Sequence, residues 1–312
     1  MNSTAYPSRT AQDDFKDVFI KNFIAIFFGI IINYINGSFV FIFSRSPVFY
    51  MESRYILYIH LVINDMIMLS ISVTLNVMIY AVPPVNVSVC CVLLLVGSMT
   101  HKNTPLSLAG MAVERYIAIC KPLRHSQICT MRRTYILIIL IWTVTFMPEL
   151  ADTVILFLTQ PLTIFTSRIF CYRLSIYNTS YHLDKAVAVN VLLLSFVWIT
   201  LIYTYFRVFF AAKTATTDPV SAKKAQNTIL LHGVQLLFCM MSYIAPLLEL
   251  ILLPLFPNDR SKIMFSNYLI TNILPRFLTP FIYGIRDQKF VSYFKMYFSV
   301  CTGKVRPVNL KH

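Results

Sequence analysis

Seven long apolar runs constrain the fold of this chain more than any other feature of its sequence. They cover residues 23–43, 55–81, 89–119, 135–158, 186–210, 229–254 and 264–285. Each run reaches about 20 residues, the length that a helix needs to cross the hydrocarbon core of a bilayer. Backbone groups in lipid must find their hydrogen bonds within the segment, which favours helices. The sequence therefore predicts an all-α membrane protein with a seven-transmembrane helix bundle over residues 23–285.

Composition and charge distribution indicate lipid, rather than nucleic acid, as the surroundings of the chain. Apolar residues make up 57% of the 312 residues and charged residues only 13%, which is too little charge for the surface of a soluble protein. The net charge of +14 is carried by short basic clusters between the apolar runs, the pattern that orients membrane proteins. We therefore predict membrane lipid as a partner and exclude nucleic acid.

The basic residues also predict the orientation of the chain. The connections after the first, third and fifth runs, together with the tail 286–312, hold about twice as many lysines and arginines as the opposite side. Because cytoplasmic loops are enriched in Lys and Arg, segment 1–22 is predicted to lie outside the cell and the tail inside. Asn2 begins a glycosylation sequon on the outer side and is the predicted acceptor.

The tail has the pattern of an amphipathic surface helix. Phe290, Phe294 and Phe298 are spaced by four residues, so they share one helical face, and the basic residues Arg286, Lys289 and Lys295 lie before and among them. This pattern predicts a short eighth helix on the cytoplasmic surface of the membrane.

Cysteine spacing and enzyme motifs argue against catalysis and metal binding. The seven cysteines form no CxxC pair and no Cys/His spacing typical of a metal site. The sequence also has no GxSxG, HExxH or Gly-rich phosphate-loop motif. We therefore predict no metal, no cofactor and no enzyme activity.

The end of the third run carries the most specific motif in the chain. Residues 111–125 read MAVERYIAICKPLRH, which resembles the odorant-receptor signature MAxDRYxAICxPLxY of the rhodopsin-like, G-protein-coupled receptors. Glu114 replaces Asp, and His125 replaces Tyr. In that family the arginine pairs with its acidic neighbour and, once freed, supports the active state and contacts the G protein. The resemblance implies this role for Glu114, Arg115 and Tyr116.

Two further motifs lie in the sixth and seventh runs. Residues 224–232 read KAQNTILLH and resemble the odorant-receptor pattern KAxxTCxxH, which implies that His232 lies at the hinge of a moving helix. Residues 275–286 read PRFLTPFIYGIR and resemble NPxxY followed by IYxxR, which implies a kink at Pro280 and a moving Tyr283. Thr279 stands where the family has Asn, so the usual polar contact from this position to the second helix is in question.

The resemblance also implies a disulfide at the outer end of the bundle. Cys90 lies 25 residues before Arg115, which corresponds to about 37 Å of helix. The two residues are therefore expected at opposite ends of the third helix. The family pattern pairs Cys90 with Cys171 in the loop after the fourth run, and Cys91 competes for the same bond.

Two charged residues inside the predicted spans suggest a buried ion pair. Asp65 matches the family's buried aspartate, which commonly helps to bind sodium. Arg276 lies one turn before Pro280, and the family's helix arrangement brings it near Asp65. We hypothesise an Asp65–Arg276 ion pair in place of the sodium ion, since leaving either charge alone in the core costs about 3–5 kcal/mol.

The resemblance places the ligand pocket in the outer half of the third helix. Gly97, Ser98, His101 and Lys102 are the candidates there, and Tyr243 in the sixth run is another. Lys102 has two alternative roles. It either pairs with an acidic residue of the fourth helix (Glu149 or Asp152), or joins His101 in receiving an anionic group of the ligand.

Taken together, the motifs imply an odorant receptor of a type closer to fish than to mammalian receptors. Such a receptor binds a small-molecule odorant within the bundle and activates a heterotrimeric G protein of the stimulatory olfactory type, which raises cAMP. The expected location is the plasma membrane of olfactory sensory neurons. A non-olfactory rhodopsin-like receptor for a peptide or lipid is one alternative, and a membrane transporter is another.

Two related receptor classes fit the sequence less well. An opsin would need a lysine in the seventh run, and residues 264–285 contain none. A biogenic-amine receptor would normally carry Asp one turn before His101, where this chain has Gly97. A transporter would be expected to show internal repeats, and we find none in the sequence.

Overall fold

The computed structural model of the chain describes most of the helical bundle. It describes residues 15–81, 84–171, 173–177, 179–214, 237, 251–252, 255–256, 259–280, 291–293 and 295–296. Several predictions fall outside these ranges. They concern the sixth run apart from residues 237 and 251–252, most of the eighth helix, and the side chains of Asn2, His232, Tyr243 and Tyr283.

Nine α-helices can be given bounds among the described residues. They are α1 (Phe15–Arg45), α2 (Ser53–Ala81), α3 (Val87–Cys120), α4 (Pro122–Ile128), α5 (Met131–Thr159), α6 (Arg173–Ile176), α7 (Ser180–Thr214), α8 (Arg260–Tyr268) and α9 (Leu274–Pro280). A π-helical segment (Leu269–Ile273) joins α8 to α9, so these three elements make one rod. Two 3₁₀ turns (Pro47–Met51 and Leu162–Thr166) lie in connections.

Prolines and capping residues explain where the helices restart. Pro47 and Pro122 each occupy the first turn of a new element, where the missing N–H costs nothing and the fixed φ favours a helix start. α5 begins after Thr130, whose hydroxyl accepts a hydrogen bond from the Arg133 N–H at 3.4 Å. The chain therefore turns sharply between helices at the points where its sequence supplies these residues.

Six of the predicted runs coincide with described helices. Each helix begins before the predicted run does. The largest difference is in α1, which begins at Phe15 rather than at residue 23. Among the described helices, α1, α2, α5 and α7 are long and apolar enough to cross a membrane, with a mean hydropathy of 1.7 to 2.2 over their most apolar stretch. α3 has 34 residues but falls short in hydropathy, because polar side chains interrupt it between residues 97 and 104.

α3 lies at the centre of the bundle and packs against α2, α5 and α7. The main apolar core surrounds the half of α3 that leads to Arg115, and Leu108, Leu61 and Val197 are completely buried in it. Phe49, in the turn between α1 and α2, is also completely buried and packs edge-on against Tyr55 at 4.8 Å. Within a membrane, van der Waals contact between closely packed side chains stabilises such a core, because lipid tails are as apolar as the side chains themselves. This core fixes the position of the helix that carries both groups of predicted site residues.

The outer faces of the helices present large apolar side chains. Along α1, Phe19, Phe23 and Phe27 stack one turn apart with ring centroids 6.4 and 6.0 Å apart, and all three are exposed. Similar faces run along α5 and α7. Contiguous apolar surface of this extent is costly in water but not in hydrocarbon. These faces are the ones that we expect to contact lipid.

A small two-stranded sheet closes the end of the bundle opposite to Arg115. Strands β1 (Val85–Asn86) and β2 (Arg168–Ile169) pair antiparallel. Beside them, Cys90 of α3 forms a disulfide with Cys171. Cys91 is a free thiol buried against Val87, Leu156 and Tyr177. The implied Cys90–Cys171 bond is thereby confirmed, and the competing bond from Cys91 is not formed.

Loss of the disulfide is expected to destabilise the receptor. The bond joins residues 81 positions apart in the sequence, and a crosslink of this kind typically contributes about 2–4 kcal/mol by restricting the unfolded chain. Cys171→Ala should therefore lower the melting temperature of the purified protein clearly, whereas Cys91→Ala should lower it less. An equal loss of melting temperature in the two variants would contradict the assignment of separate roles to Cys90 and Cys91.

Candidate functional site

A network of buried polar side chains crosses the middle of the bundle. Thr145 of α5 donates a hydrogen bond to the Asn103 Oδ1 atom at 2.7 Å, and Asn103 of α3 donates to the Asn64 Oδ1 atom at 3.2 Å. Asn64 of α2 in turn donates to the Thr104 hydroxyl at 3.0 Å. All four side chains are almost completely buried. Because unpaired polar groups are costly in such surroundings, this network holds α2, α3 and α5 in one relative position.

Asp65 continues this network towards the last helix. Its Oδ1 atom accepts a hydrogen bond from the Thr104 hydroxyl at 3.1 Å, and its Oδ2 atom accepts one from the Thr279 hydroxyl at 3.0 Å. The position at which the family has Asn therefore keeps its polar contact with α2, now through a threonine. Hydrogen bonds to both oxygens fix the Asp65 carboxylate between α3 and α9.

The hypothesised direct ion pair between Asp65 and Arg276 is not formed in the structure. Both residues are described and buried, yet no nitrogen of Arg276 lies within 4.0 Å of the carboxylate oxygens, although the two charges still interact through space. The Arg276 Nη1 atom instead donates a hydrogen bond to the Thr271 carbonyl at 2.6 Å. Pro275, which has no N–H of its own, lies between Thr271 and Arg276, at the junction of the π-helical segment and α9.

A second polar contact joins α2 to α5 closer to Arg115. The Trp142 indole N–H donates a hydrogen bond to the His60 Nε2 atom at 2.9 Å, and the His60 Nδ1 atom lies 3.3 Å from the Ser107 hydroxyl. An indole nitrogen can only donate, so Nε2 of His60 must be unprotonated. His60 is therefore held as the neutral tautomer with its proton on Nδ1, which serves helix packing.

A cluster of charged side chains lies towards the disulfide end of the bundle. Glu149 of α5 is 4% exposed and forms an ion pair with Lys102 of α3. The Ser98 hydroxyl donates a hydrogen bond to the same carboxylate at 2.8 Å, and Arg173 of α6 approaches its other oxygen at 3.5 Å. Of the two arrangements expected for Lys102, the structure therefore contains the pairing with Glu149.

Asp152, one turn further along α5, is the second acid of this cluster. It is 1% exposed and forms ion pairs with Lys185 of α7 and, at 3.3 Å, with Arg173. His182 of α7 lies 3.7 Å from the same carboxylate. We call the group Lys102, Glu149, Asp152, Arg173, Lys185 and His182 the ionic cluster. It joins α3, α5, α6 and α7 where they meet below the disulfide.

The remaining pocket candidates have different surroundings. Gly97 faces α2, since a Cβ atom at this position would lie 3.2 Å from Ile71. His101 is partly buried, and the charges of Lys102 and Arg276 both act on it. Tyr243 lies outside the described residues. The structure thus brings Ser98 and Lys102 together in one site, and it directs Gly97 towards helix packing.

At the opposite end of α3, two partners share one carboxylate. Glu114 is 5% exposed, and its Oε1 atom lies 3.0 Å from the His125 Nε2 atom. The Arg115 Nε atom lies further away, 3.9 Å from the other oxygen. His125 belongs to the short helix α4 and stands where the family signature has Tyr. Arg115 is therefore held only weakly, because His125 has the closer contact with Glu114.

Tyr116 links this end of α3 to α7. Its ring packs edge-on against Tyr203 at 5.9 Å, and its hydroxyl interacts with Arg207. Pro280, the other described residue of the expected switch, is buried at the end of α9. The described switch residues therefore lie on two helices, α3 and α9, at the ends that point away from the disulfide.

Sequence reasoning missed three members of the ionic cluster, namely Arg173, Lys185 and His182. Arg173 follows Cys171 by two residues, so the disulfide places its side chain beside α3. This spacing was the sequence signal that could have placed Arg173 near α3. Lys185 and His182 precede the fifth apolar run and looked like ordinary interfacial residues. No group of three His, Cys, Asp or Glu side chains suited to a metal ion occurs among the described residues.

Removing one partner of the Lys102–Glu149 pair should destabilise the receptor strongly. Lys102→Met leaves Glu149 with only Ser98 and the more distant Arg173 as partners. Because breaking a buried ion pair costs about 3–5 kcal/mol, this variant should lower the melting temperature of the purified protein. The double variant with Glu149→Gln should recover part of that loss. The exposed pair of Lys262 with Asp259 provides the control, since Lys262→Met should cost about 1 kcal/mol or less. Equal melting temperatures for Lys102→Met and Lys262→Met would refute a structural role for the buried pair.

Comparison with known proteins agrees with a bundle of membrane-spanning helices. A family model described as the seven-transmembrane receptors of the rhodopsin family matches residues 35–283. The chain is also similar to "Odorant receptor 131-2" of Danio rerio, with 29% identity over 275 residues that cover 88% of this chain and 84% of that protein. The matched region extends from α1 beyond α9 and includes the motif around Arg115. The chain therefore belongs to the rhodopsin family of seven-transmembrane receptors.

Proposed function

We propose that the chain is an odorant receptor, which binds a small molecule within the helix bundle and activates a heterotrimeric G protein. Signalling through G proteins is general to the rhodopsin family, to which the chain belongs. The name of the similar zebrafish protein supports the sensory role. We further propose a stimulatory, olfactory-type G protein that raises cAMP, in the plasma membrane of olfactory sensory neurons.

The observation that carries this proposal is the arrangement of α3. One helix contacts the ionic cluster at Lys102 and the weakly held Arg115 further along. The 13 residues between them span about 20 Å of helix. A ligand that favours one packing of the outer helix ends can therefore alter the population of states at the other end.

The proposed ligand region lies beside the ionic cluster, where α3, α5 and α7 meet. Of the pocket candidates, Lys102 belongs to the ionic cluster and Ser98 donates a hydrogen bond to it. His101 is adjacent to Lys102 on α3. At the other end, the proposed switch consists of Glu114, Arg115, Tyr116, His232, Pro280 and Tyr283. Opening of this end towards the cytoplasm would expose Arg115 to the G protein, with segment 1–22 outside the cell.

A ligand screen with two readouts tests this function. Cells that express the full chain at their surface would be exposed to a panel of odorants while cAMP is measured. A dose-dependent rise in cAMP is expected for some odorants. A response to peptides or lipids alone would favour the non-olfactory receptor, and sustained uptake of a labelled compound without cAMP would favour a transporter.

Arg115→Ala should abolish the ligand-dependent rise in cAMP without loss of surface expression. The proposed contact with the G protein depends on this side chain, which is about one third exposed and lies at the end of the bundle. Arg132→Ala removes an exposed arginine near the same end and is the matched control. Normal signalling by Arg115→Ala at equal surface expression would contradict the proposed switch.

His125→Ala should lower the signalling activity of the receptor without ligand. His125 competes with Arg115 for Glu114, so its removal leaves the carboxylate to pair with the arginine and stabilises the resting state. Glu114→Gln should have the opposite effect. The measurement is basal cAMP at matched surface expression, with Gln127→Ala, an exposed position on the same short helix, as the control. Higher basal cAMP in His125→Ala would show that His125 does not compete with Arg115.

A further inference from the structure

The ionic cluster contains more positive than negative charge. Among the described residues that form it, the three cations Lys102, Arg173 and Lys185 meet only the two carboxylates of Glu149 and Asp152. His182 adds a further positive charge whenever it is protonated. Surplus charge within a membrane protein is costly unless a counter-ion compensates it. The cluster is therefore short of one negative charge.

The two carboxylates offer little to a positively charged ligand. Glu149 is engaged by Lys102, Ser98 and Arg173. Asp152 is engaged by Arg173 and Lys185. Both acids are almost completely buried behind these partners. An ammonium group would have to displace an internal cation and leave that cation unpaired, which is the costly outcome for buried pairs.

Arg173 is the cation of the cluster that a ligand can reach. About one third of its side chain is exposed, whereas Lys102 is 7% exposed and Lys185 17%. Its contacts with Glu149, Asp152 and Ser98 are 3.5, 3.3 and 3.3 Å long. Charge-assisted hydrogen bonds of full strength are about 2.7–2.9 Å long. The guanidinium therefore holds its internal partners loosely and retains donor capacity.

The position of Arg173 is nevertheless well defined. The disulfide at Cys171 ties this loop to α3 two residues earlier in the chain. The guanidinium also lies over the ring of Tyr177, with its central carbon 5.6 Å from the ring centroid. Burial raises the pKa of Tyr177 to about 12, so the phenol stays neutral and does not supply the missing negative charge. A pre-positioned planar guanidinium suits a carboxylate, which it can bind through two parallel hydrogen bonds.

We propose that the ligand of this receptor carries an anionic group, a carboxylate in particular, which binds Arg173 at the edge of the ionic cluster. This inference deepens the proposed function, on which it rests, by naming the chemical class of the odorant. The carboxylate supplies the missing negative charge, and the apolar part of the ligand lies between α3, α5 and α7. Amines are rejected because both carboxylates of the cluster already have internal partners.

Thermal unfolding of the purified, full-length receptor tests the proposal without relying on the cAMP response of cells. The probes are straight-chain carboxylates from acetate to decanoate and benzoate, each compared with the alcohol and the amine that have the same carbon skeleton. At least one carboxylate is expected to raise the melting temperature at concentrations where its alcohol and amine do not. Equal stabilisation by the alcohol, stronger stabilisation by the amine, or no stabilisation by any carboxylate would overturn the proposal.

Variants then locate the site. Arg173→Gln should raise the concentration of carboxylate needed for half-maximal stabilisation by about tenfold or more, as expected for loss of a bidentate charged contact. Arg168→Gln removes an exposed arginine of the same loop and should leave that concentration unchanged. Should Arg173→Gln fail to fold, Arg173→Lys keeps the charge without the planar fork and should still weaken carboxylate binding. Unchanged binding in the folded variant would overturn the proposal.

The wild-type receptor and its Arg173 variants, compared in both melting temperature and cAMP response, separate this inference from the proposed function. Arg173-dependent stabilisation by a carboxylate with no cAMP response in cells would leave the anion site standing and remove the odorant-receptor proposal. A cAMP response to neutral or amine odorants alone, unaffected by Arg173→Gln, would leave the receptor function standing and remove the anion site.

Discussion

The arrangement of the outer half of the bundle depends on the compensation of two buried carboxylates. Glu149 and Asp152 lie on one helix, in surroundings where an unpaired charge is very costly. Their cationic partners come from α3, α6 and α7, so these elements can come together in only a few ways that leave neither acid alone. The disulfide adds a covalent restriction at the same place. Together they define the end of the bundle at which we propose that the ligand binds.

Much of the fold could be predicted from the sequence, because lipid imposes a simple rule on chain segments. Apolar length predicted the six described spans, and the family motif implied the bond between Cys90 and Cys171. Pairing of Lys102 with Glu149 was one of two expected arrangements, since a buried charge requires a partner. Helix ends were less predictable, as the early start of α1 shows, because polar residues can extend a helix beyond the membrane.

The parts of the site that sequence reasoning missed depend on contacts between distant segments. Arg276 was expected to pair with Asp65, yet it donates to the Thr271 carbonyl earlier in the same helical segment. Thr279, a departure from the family pattern, keeps the hydrogen bond to Asp65. His125 was noted only as a substitution, but it has the closest contact with Glu114. In each case the backbone geometry, rather than the residue type, decides which of several partners is reached.

The contact between Asp152 and Lys185 has a consequence for how the chain is made. During synthesis α5 enters the membrane before α7 has left the ribosome, so Asp152 reaches the membrane before Lys185 does. Until α7 arrives, the carboxylate must be protonated, hydrated or shielded by an insertion factor. Completion of this ion pair is therefore a late event in biogenesis, and a cell could use it to distinguish finished receptors from unfinished ones.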